Sequence, residues 1–234
     1  HFGDVVLGKK TVLCKDTPGF IANRVGVFGL AKILELTEEL GLTISEVDKI
    51  TGPPVGRPKT GTFRLADLVG IDVIDKVMKG LKANAPDDTM VQEVRMPDYF
   101  NYLVEQNYLG DKTGKGFYHK TKERDENGRS IINGLNLESK EHEPTSKPKL
   151  PSLSLAKQVD DLRRRFKVIF NAEDKGGELV RRSTLSMFAY VSHRVPEISD
   201  FVYPVDDALK AGFAWELGPF EYWDVIGVKE GVEK

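Results

Sequence analysis

The sequence of 234 residues has little of several features that mark specialised classes of protein. It contains one cysteine, Cys14, so an internal disulfide framework is excluded, and the surrounding TVLCK predicts a short strand with Cys14 buried in it, in a protein of a reducing compartment. No apolar run approaches the roughly 20 residues of a membrane span. The N-terminus HFGDVVLGKK lacks the shape of a signal peptide. We therefore expect a cytoplasmic protein.

Neither sign of charge is in excess. Lysine and arginine number 34 and aspartate and glutamate 36, which gives a net charge of -2 and no electrostatic reason to expect a nucleic acid or an anionic membrane as a partner. His119 and His142 lie in polar segments without partners at metal-ligand spacing, so no metal site is predicted. The chain is 40% hydrophobic, which is enough for one large core or two small ones.

Helical periodicity covers most of the sequence. In KDTPGFIANRVGVFGLAKILELTEELG, Thr17 is the expected cap, Pro18 the first helical residue and Gly41 the end of the helix. Apolar residues cover most of the circumference of this helix, which predicts that other helices surround it. Thr43 and Glu46 have the spacing of a capping box that begins a second helix. Three more helices are predicted in FRLADLVG, IDVIDKVMKGLKAN and PDYFNYLVEQNYLG.

The middle of the chain changes character. Turn residues and two strand-like runs around DENG, within GDKTGKGFYHKTKERDENGRSIINGLNL, are typical of a β-hairpin. The polar, proline-bearing segment 139–151 predicts a linker. SLSLAKQVDDLRRRFKVIFN then resumes the helical period, with Ser152 or Ser154 as its cap. Its RRRF run follows two aspartates, which favours a solvated helix face over an RNA contact.

An internal repeat is the most informative feature of the sequence. GTFRLADLVGID aligns with LGPFEYWDVIGVK, so that Gly70 of copy one falls on Gly227 of copy two. The helices that precede these segments also align, and there Asn23 corresponds to Arg181. If Asn23 has a chemical role, the second copy has kept the scaffold and lost that role.

The two copies are not equally complete. Copy one continues beyond Gly70 to GFY, whereas the chain stops shortly after Gly227, and the predicted strand TVLC has no sheet to join. Both observations predict that the sequence is a fragment of a longer polypeptide.

Several motifs in combination indicate a family. KDTPGFIANR, a helical hairpin, a glycine-proline loop leading to ADLVGID, and finally GDKTGKGFY together resemble the C-terminal domain of the 3-hydroxyacyl-CoA dehydrogenases of fatty-acid β-oxidation. The likeness spans Thr11 to Tyr118. In copy two, AGFAWELGPFEYWDVIG resembles the tandem arrangement of the long, multifunctional members, in which an enoyl-CoA hydratase domain is often fused to the same chain.

The resemblance implies a mainly α fold, made of tandem duplicated helical modules of the 6-phosphogluconate dehydrogenase C-terminal-like type with a small β-hairpin between them. Residues 1–15 are then a remnant strand and connection from a missing Rossmann domain, and 16–118 the first helical module. Residues 119–151 are the hairpin and linker, and 152–234 a second module, degenerate and truncated. In single-copy relatives this domain makes a dimer. The second module is therefore expected to form a pseudo-dimer with the first, with a homodimer also possible.

The same resemblance implies an enzyme that oxidises the 3-hydroxyl of an (S)-3-hydroxyacyl-CoA by hydride transfer to NAD. In that family NAD lies mainly on an N-terminal Rossmann domain, which also supplies a catalytic histidine. No G-x-G-x-x-G follows a strand in this sequence, and His1 is too close to Asp16 to be that histidine. We therefore expect the fragment alone to be inactive. The alternative function is a non-catalytic helical module that binds a partner protein.

Two site residues follow from the resemblance. Asn23 corresponds to the active-site asparagine of the family's GFxxNR motif, which implies a catalytic and substrate-binding role: its amide would donate to the C3 oxygen of the substrate or brace the histidine. Without the resemblance, an asparagine that satisfies local backbone groups is the simpler interpretation. Lys112, in GDKTGKG, corresponds to a lysine that approaches the cofactor and is the predicted NAD contact. A tight turn with a solvated lysine is the alternative.

Other polar residues have simpler interpretations. Arg24 is retained in copy two as Arg182, although copy two lacks the asparagine, so we expect Arg24 to pair with a carboxylate and fix the start of its helix. GDKTGKG has the wrong spacing for a nucleotide triphosphate loop. His193 and Glu197 stand four residues apart, but Pro196 is expected to interrupt the helix between them, so they are a poor base and orienter pair.

One loop carries three cations. In RPKTGTFR, the side chains of Arg57, Lys59 and Arg64 could meet the phosphates of CoA. In the resembling family this loop usually reads GPFE, so Thr62 and Arg64 depart from the pattern. That departure weakens the role inferred for Arg64.

Overall fold

The computed structural model describes residues 1–233, which are mostly helical with one small antiparallel sheet. The helices in this range are α1 (Ala22–Leu40), α2 (Ile44–Ile50), α3 (Phe63–Val69), α4 (Ile71–Asn84), α5 (Thr89–Glu93), α6 (Asp98–Glu105), α7 (Pro151–Ala156), α8 (Leu162–Phe170), α9 (Lys175–Ile198), α10 (Tyr203–Phe213), α11 (Pro219–Ile226) and α12 (Val228–Glu233). The strands β1 (Tyr118–Arg124), β2 (Ser130–Leu135) and β3 (His142–Pro144) pair in that order. The predicted mainly α fold is confirmed.

The first long helix begins later than the sequence predicts. The backbone takes left-handed conformations at Gly19 (φ +78°) and Phe20 (φ +50°), which a right-handed helix cannot contain. The predicted cap, Thr17, and the predicted first residue, Pro18, therefore belong to a turn that precedes α1, and that prediction is wrong. Gly41 ends the helix in the left-handed conformation, as predicted.

The N-terminal segment does not form the predicted strand. Residues 2–6 make a single π-helical turn, and residues 11–14 have no regular secondary structure. Leu13 is 86% exposed, and Cys14 is half-buried rather than buried. The segment contacts the rest of the fold through Lys15, whose backbone N–H donates to the Ile198 carbonyl at 3.0 Å, and through Lys10, which pairs with Asp207 at 2.9 Å. A strand needs a partner strand, and β1 to β3 lie elsewhere. The assignment of residues 1–15 to a Rossmann domain stays a prediction.

The predicted hairpin is present, and a third strand extends it. β1 and β2 pair antiparallel with Tyr118 opposite Gly134. Within the segment predicted as linker, β3 pairs with β2 and places His142 opposite Leu135. A strand of three residues is too short to show a period of two in the sequence, so the sequence pattern does not predict it.

The helix predicted to start at Ser152 or Ser154 is two helices, and neither serine caps one. α7 has Pro151 at its first position and no side-chain cap. α8 is capped by Asp161, whose carboxylate accepts the Arg164 N–H at 2.8 Å. The RRRF run is only partly solvated, because the Arg165 guanidinium donates to several backbone carbonyls.

The two sequence copies fold alike. In copy one the carboxylate of Asp48 accepts backbone N–H groups at the start of α3 (2.5 to 2.9 Å), and in copy two Asp206 accepts the Phe220 N–H at the start of α11 (2.8 Å). Burial raises the pKa of both carboxyl groups to about 6. Gly70 and Gly227 share φ 103° and nearly the same ψ, 122° and 124°. The repeat is therefore structural as well as sequential.

The two modules share one core, with α1 at its centre. α1 packs along α9, the other long helix, and the rings of Phe28 and Tyr190 stack with centroids 3.9 Å apart. The end of α10 crosses the start of α1, where a Cβ atom at Gly26 would lie 2.4 Å from the Phe213 ring. The predicted enclosure of α1 by other helices is thus confirmed. No helix in residues 1–233 combines the length and apolarity needed to cross a bilayer.

Candidate active site

Asn23 lies in the first turn of α1 with its side chain exposed. Its carboxamide makes no hydrogen bond with any other residue of the described range 1–233. The local role that would otherwise explain an asparagine here, satisfaction of nearby backbone groups, is therefore not seen. Phe20, in the turn just before the helix, is also exposed. The amide is free to donate to a ligand.

The neighbouring Arg24 is completely buried and anchors this end of α1. Its guanidinium contacts Asp88 Oδ2 (Nη2 at 2.8 Å, Nε at 3.0 Å), Glu197 Oε1 (2.9 Å) and the Tyr190 hydroxyl (2.8 Å). It also donates to the Pro18 carbonyl at 3.1 Å. The predicted carboxylate partner is confirmed, and there are two. Because Tyr190 and Glu197 belong to α9, the second module helps to hold the first turn of α1.

The charges in this buried network stabilise one another. Burial by itself lowers the pKa of Arg24, but Tyr190, Asp88 and Glu197 more than offset it, so the pKa is raised. Burial likewise would raise the pKa of Asp88, yet hydrogen bonds from Tyr190 (2.8 Å) and Arg24 bring it below its ordinary value. Both groups are therefore ionised at neutral pH, and the pair is fully hydrogen-bonded, as a buried ion pair requires.

The aligned residues of the second module, Arg181 and Arg182, have different partners from Asn23 and Arg24. Arg182, which aligns with Arg24, pairs with Glu39 at 2.8 Å and Glu178 at 3.4 Å in a partly exposed position. Arg181 stands where copy one has Asn23. It donates to carbonyl groups at the end of α8, including that of Phe170 at 3.0 Å. At the position where the first module presents a free amide, the second module therefore has an arginine that hydrogen-bonds the carbonyl groups at the end of α8.

Lys112 lies in a single 3-10 turn between α6 and β1 and is held by an acidic partner. Its ammonium group contacts the Asp72 carboxylate of α4, and this hydrogen bond lowers the pKa of Asp72. No hydrogen bond or ion pair within residues 1–233 joins Lys112 to Asn23, so the structure does not bring these two predicted site residues into contact. Lys112 can offer a cation to a cofactor only by leaving Asp72.

Residues 1–233 do not fit a complete dinucleotide site. Their one sheet is antiparallel, without the parallel strands and glycine-rich turn on which a Rossmann site depends. Lys112 is the one residue for which the sequence predicts a contact with NAD.

Two of the three cations in the RPKTGTFR loop are already engaged. Arg64 makes a bidentate pair with Asp111 at 2.6 and 2.9 Å. The Arg57 guanidinium lies 3.9 Å from the centre of the Trp215 ring. Lys59 is exposed and makes no ion pair in residues 1–233. Of the three, Lys59 is the one open to a phosphate.

The histidines take no part in this site. Pro196 does not interrupt α9, contrary to the prediction, because it lies in the last turn and removes only one backbone donor before the helix ends at Ile198. Glu197 pairs with Arg24 and Arg194, not with the exposed His193. Within residues 1–233 no three metal-ligating side chains converge.

Comparison with protein families assigns the first module. The model of the family described as "3-hydroxyacyl-CoA dehydrogenase, C-terminal domain" matches residues 19–120. Residues 19–120 are therefore similar to that family. The matched segment comprises α1 to α6 and the start of β1, and it contains Asn23, Arg24 and Lys112.

Curated relatives extend the similarity over both modules. The chain is 39% identical over 233 residues to a Bacillus subtilis protein named "Probable 3-hydroxyacyl-CoA dehydrogenase", covering 100% of this chain and 28% of that protein. It is 30% identical over 227 residues to a Rickettsia prowazekii protein named as a trifunctional enzyme of the fatty acid oxidation complex, covering 97% of this chain and 29% of that protein. The chain therefore spans less than a third of the length of these relatives.

A solved structure has a similar fold over almost the whole chain. A 3-hydroxybutyryl-CoA dehydrogenase from Escherichia coli K12 superposes with a TM-score of 0.62 at 17% identity, covering 98% of this chain and 58% of that one. At this identity the likeness concerns the fold alone. The fold of almost the whole chain, both modules included, is thus found in another protein.

Proposed function

We propose that this chain is the C-terminal, substrate-binding and dimerisation-type region of an NAD-dependent (S)-3-hydroxyacyl-CoA dehydrogenase of fatty-acid β-oxidation. The observation that carries the proposal is the free amide of Asn23, exposed at the start of a helix whose next residue is locked in a buried network. The family of residues 19–120 and the names of the relatives support the same reaction class.

In this proposal Asn23 is a catalytic and substrate-binding residue. Its N–H donates a hydrogen bond to the C3 oxygen of the acyl-CoA as that oxygen changes from hydroxyl to carbonyl. A donor fixed in advance needs no reorganisation when the reaction occurs, and a well-aimed one can lower the barrier by about 3 kcal/mol. NAD would be held mainly by a nucleotide-binding domain and would supply the hydride acceptor when bound, with Lys112 offering that cofactor one cation. The proton of the hydroxyl would pass to the catalytic histidine expected on the same domain.

The proposed partners follow from the length of the relatives. The chain would work with its own N-terminal Rossmann domain, and an enoyl-CoA hydratase domain could belong to the same polypeptide, since one relative is named as trifunctional. The domain boundaries proposed are 1–15, 16–118, 119–151 and 152–234, as predicted from the sequence. The proposed location is the cytoplasm.

The experiment that tests the function compares two proteins in acetoacetyl-CoA-dependent NADH oxidation. The full-length gene product should turn over, and residues 1–234 alone should not, because hydride transfer needs a bound nicotinamide. Absence of turnover in the full-length product would refute the proposed activity. Turnover by residues 1–234 alone would refute the need for a separate cofactor domain.

The second module is proposed to replace a second subunit by covering α1. Deleting residues 152–234 should expose Phe28 and the rest of the face that α9 covers, and apolar surface of this kind drives association. The truncated chain should dimerise or aggregate in size-exclusion chromatography with light scattering, whereas the intact chain serves as control. A well-behaved truncated monomer would contradict the pseudo-dimer.

A further inference from the structure

A cavity of about 50 Å³ lies where the two modules meet. Its walls come from α1, from the loop between α2 and α3, from α9 and from the end of α10. Most of the lining is apolar and includes Gly29, Leu30, Ile33, Met187 and Phe213. A single water needs only about 10 to 15 Å³ of such volume. The cavity therefore has room for a small ligand and not merely for one solvent molecule.

A cation without a counterion lines this apolar cavity. The guanidinium of Arg57 stacks on Trp215, but no carboxylate in residues 1–233 forms an ion pair with it. Its Nε–H is buried and lacks a hydrogen-bond acceptor. Burial lowers the pKa of Arg57, and the Tyr222 hydroxyl counteracts this. A buried donor left unpaired destabilises the folded state, and a charged one does so more strongly. An anion that accepted a hydrogen bond from the Arg57 Nε–H would remove that destabilisation.

A helical glycine keeps the cavity open. Glycine inside a helix is less favourable than alanine, yet α1 has Gly29 at the cavity wall. A Cβ atom built at Gly29 would meet nothing within 4 Å. Backbone strain or close packing therefore does not explain the glycine, whereas preserved volume does.

We propose that this cavity binds an aliphatic carboxylate, with the carboxylate on Arg57 and the chain against Gly29 and Leu30. The ligand has two possible sources. It is either a free carboxylic acid or the far end of an acyl chain whose thioester end is held near Asn23. The second source rests on the proposed function: Asn23 lies two turns before Leu30 on the same side of α1, and the chain would pass Phe213.

Titration calorimetry of residues 1–234 with hexanoate tests the site. Hexanoate should bind, and hexanol, which has the same chain without the charge, should bind at least about 10-fold more weakly. Gly29→Leu should fill the cavity and weaken hexanoate at least about 10-fold while the protein stays folded, since leucine has the higher helix propensity. Gly80→Leu is the matched control, because Gly80 is also helical with open space around it and lies outside the cavity.

The charge is tested by a second pair of variants. Arg57→Gln should weaken hexanoate at least about 10-fold, and Lys59→Gln, which changes an exposed cation in the same loop, should leave it unchanged. The proposal is overturned if hexanoate fails to bind at millimolar concentration or if Gly29→Leu binds it as well as the unmodified chain does.

The source of the carboxylate is decided with the full-length protein. If the acyl chain supplies it, Arg57→Gln should lower kcat/KM about 10-fold for an acyl-CoA that ends in a carboxylate and leave that for the methyl-ended analogue unchanged. If neither value changes while hexanoate still binds, the ligand is a free acid. If the full-length protein has no dehydrogenase activity, the proposed function fails, whereas the hexanoate result still decides the cavity site.

Discussion

Replacing Asn23 by alanine in the full-length protein should lower kcat for acetoacetyl-CoA-dependent NADH oxidation by about 100-fold, which corresponds to about 3 kcal/mol. The hydrogen bond to the C3 oxygen strengthens as charge develops there, so the loss should fall mainly on kcat with little change in KM. Since Asn23 is exposed and makes no hydrogen bond in residues 1–233, its removal should leave the folded state intact. Thermal unfolding of the variant should therefore match that of the unmodified protein.

Two variants complete the test of the asparagine. Asn101→Ala changes another exposed, helical asparagine, which makes only a 3.2 Å contact with the Met96 carbonyl, and should keep full activity. Asn23→Asp retains the shape but has no N–H to donate, so it should be as slow as Asn23→Ala. Unchanged turnover in Asn23→Ala would remove the residue from the mechanism, and full activity in Asn23→Asp would exclude donation as its role.

The position of the Asn23 amide depends on its neighbour. Consecutive residues of a helix point about 100° apart, so Asn23 reaches solvent while Arg24 enters the junction between modules. There Arg24 meets Asp88 of the first module and Tyr190 and Glu197 of the second. The second module lacks the asparagine but supplies two of the groups that fix the turn carrying it. The copy that lacks the asparagine is thus tied physically to the copy that carries it.

The sequence allowed the carboxylate partner of Arg24 to be predicted but not identified. The repeat suggested a structural role, yet Asp88 lies 64 residues away along the chain and Glu197 lies 173 away. Asp88 also has a local explanation that conceals its other role, because it caps α5 through the Val91 N–H. Capping and periodicity are local signals, whereas this network exists only after the modules pack together.

The wrong local predictions share a physical cause. Thr17 and Pro18 have the residue types of a helix start. Phe20, however, takes a left-handed conformation that its residue type does not predict. Pro196 has the residue type of a helix interruption, but in the last turn of α9 it removes only one backbone hydrogen bond, so the helix continues to its end. In contrast the capping box at Thr43 was predicted correctly, because both of its hydrogen bonds lie within four residues.

Replacing Asp88 by alanine should lower the free energy of unfolding by about 3 to 5 kcal/mol, since it leaves the guanidinium of Arg24 buried without its main partner. The loss should appear as a lower urea midpoint with an unchanged m-value. Asp224→Ala is the matched control: Asp224 aligns with Asp67 in the repeat but is exposed, and its removal should change stability by no more than about 0.5 kcal/mol. A loss below about 1 kcal/mol in Asp88→Ala would mean that Glu197 and Tyr190 alone hold Arg24.

The pH dependence of this difference provides a check on its electrostatic origin. The pKa of Asp88 is below its ordinary value in the folded state, because hydrogen bonds from Tyr190 and Arg24 outweigh the effect of burial. Its carboxylate therefore stabilises the fold fully above the ordinary pKa of about 4, and this contribution is lost as pH falls through the lower folded-state pKa.

Asp48 acts in the opposite sense: burial raises its pKa to about 6, so stability is lost as pH rises towards that value. The difference between the unmodified protein and Asp88→Ala removes the Asp48 contribution, which is common to both. It should be constant from about pH 8 to pH 5 and shrink below about pH 4. A difference that stays constant in acid would show that packing of the Asp88 side chain, and not its charge, is the source of the stabilisation.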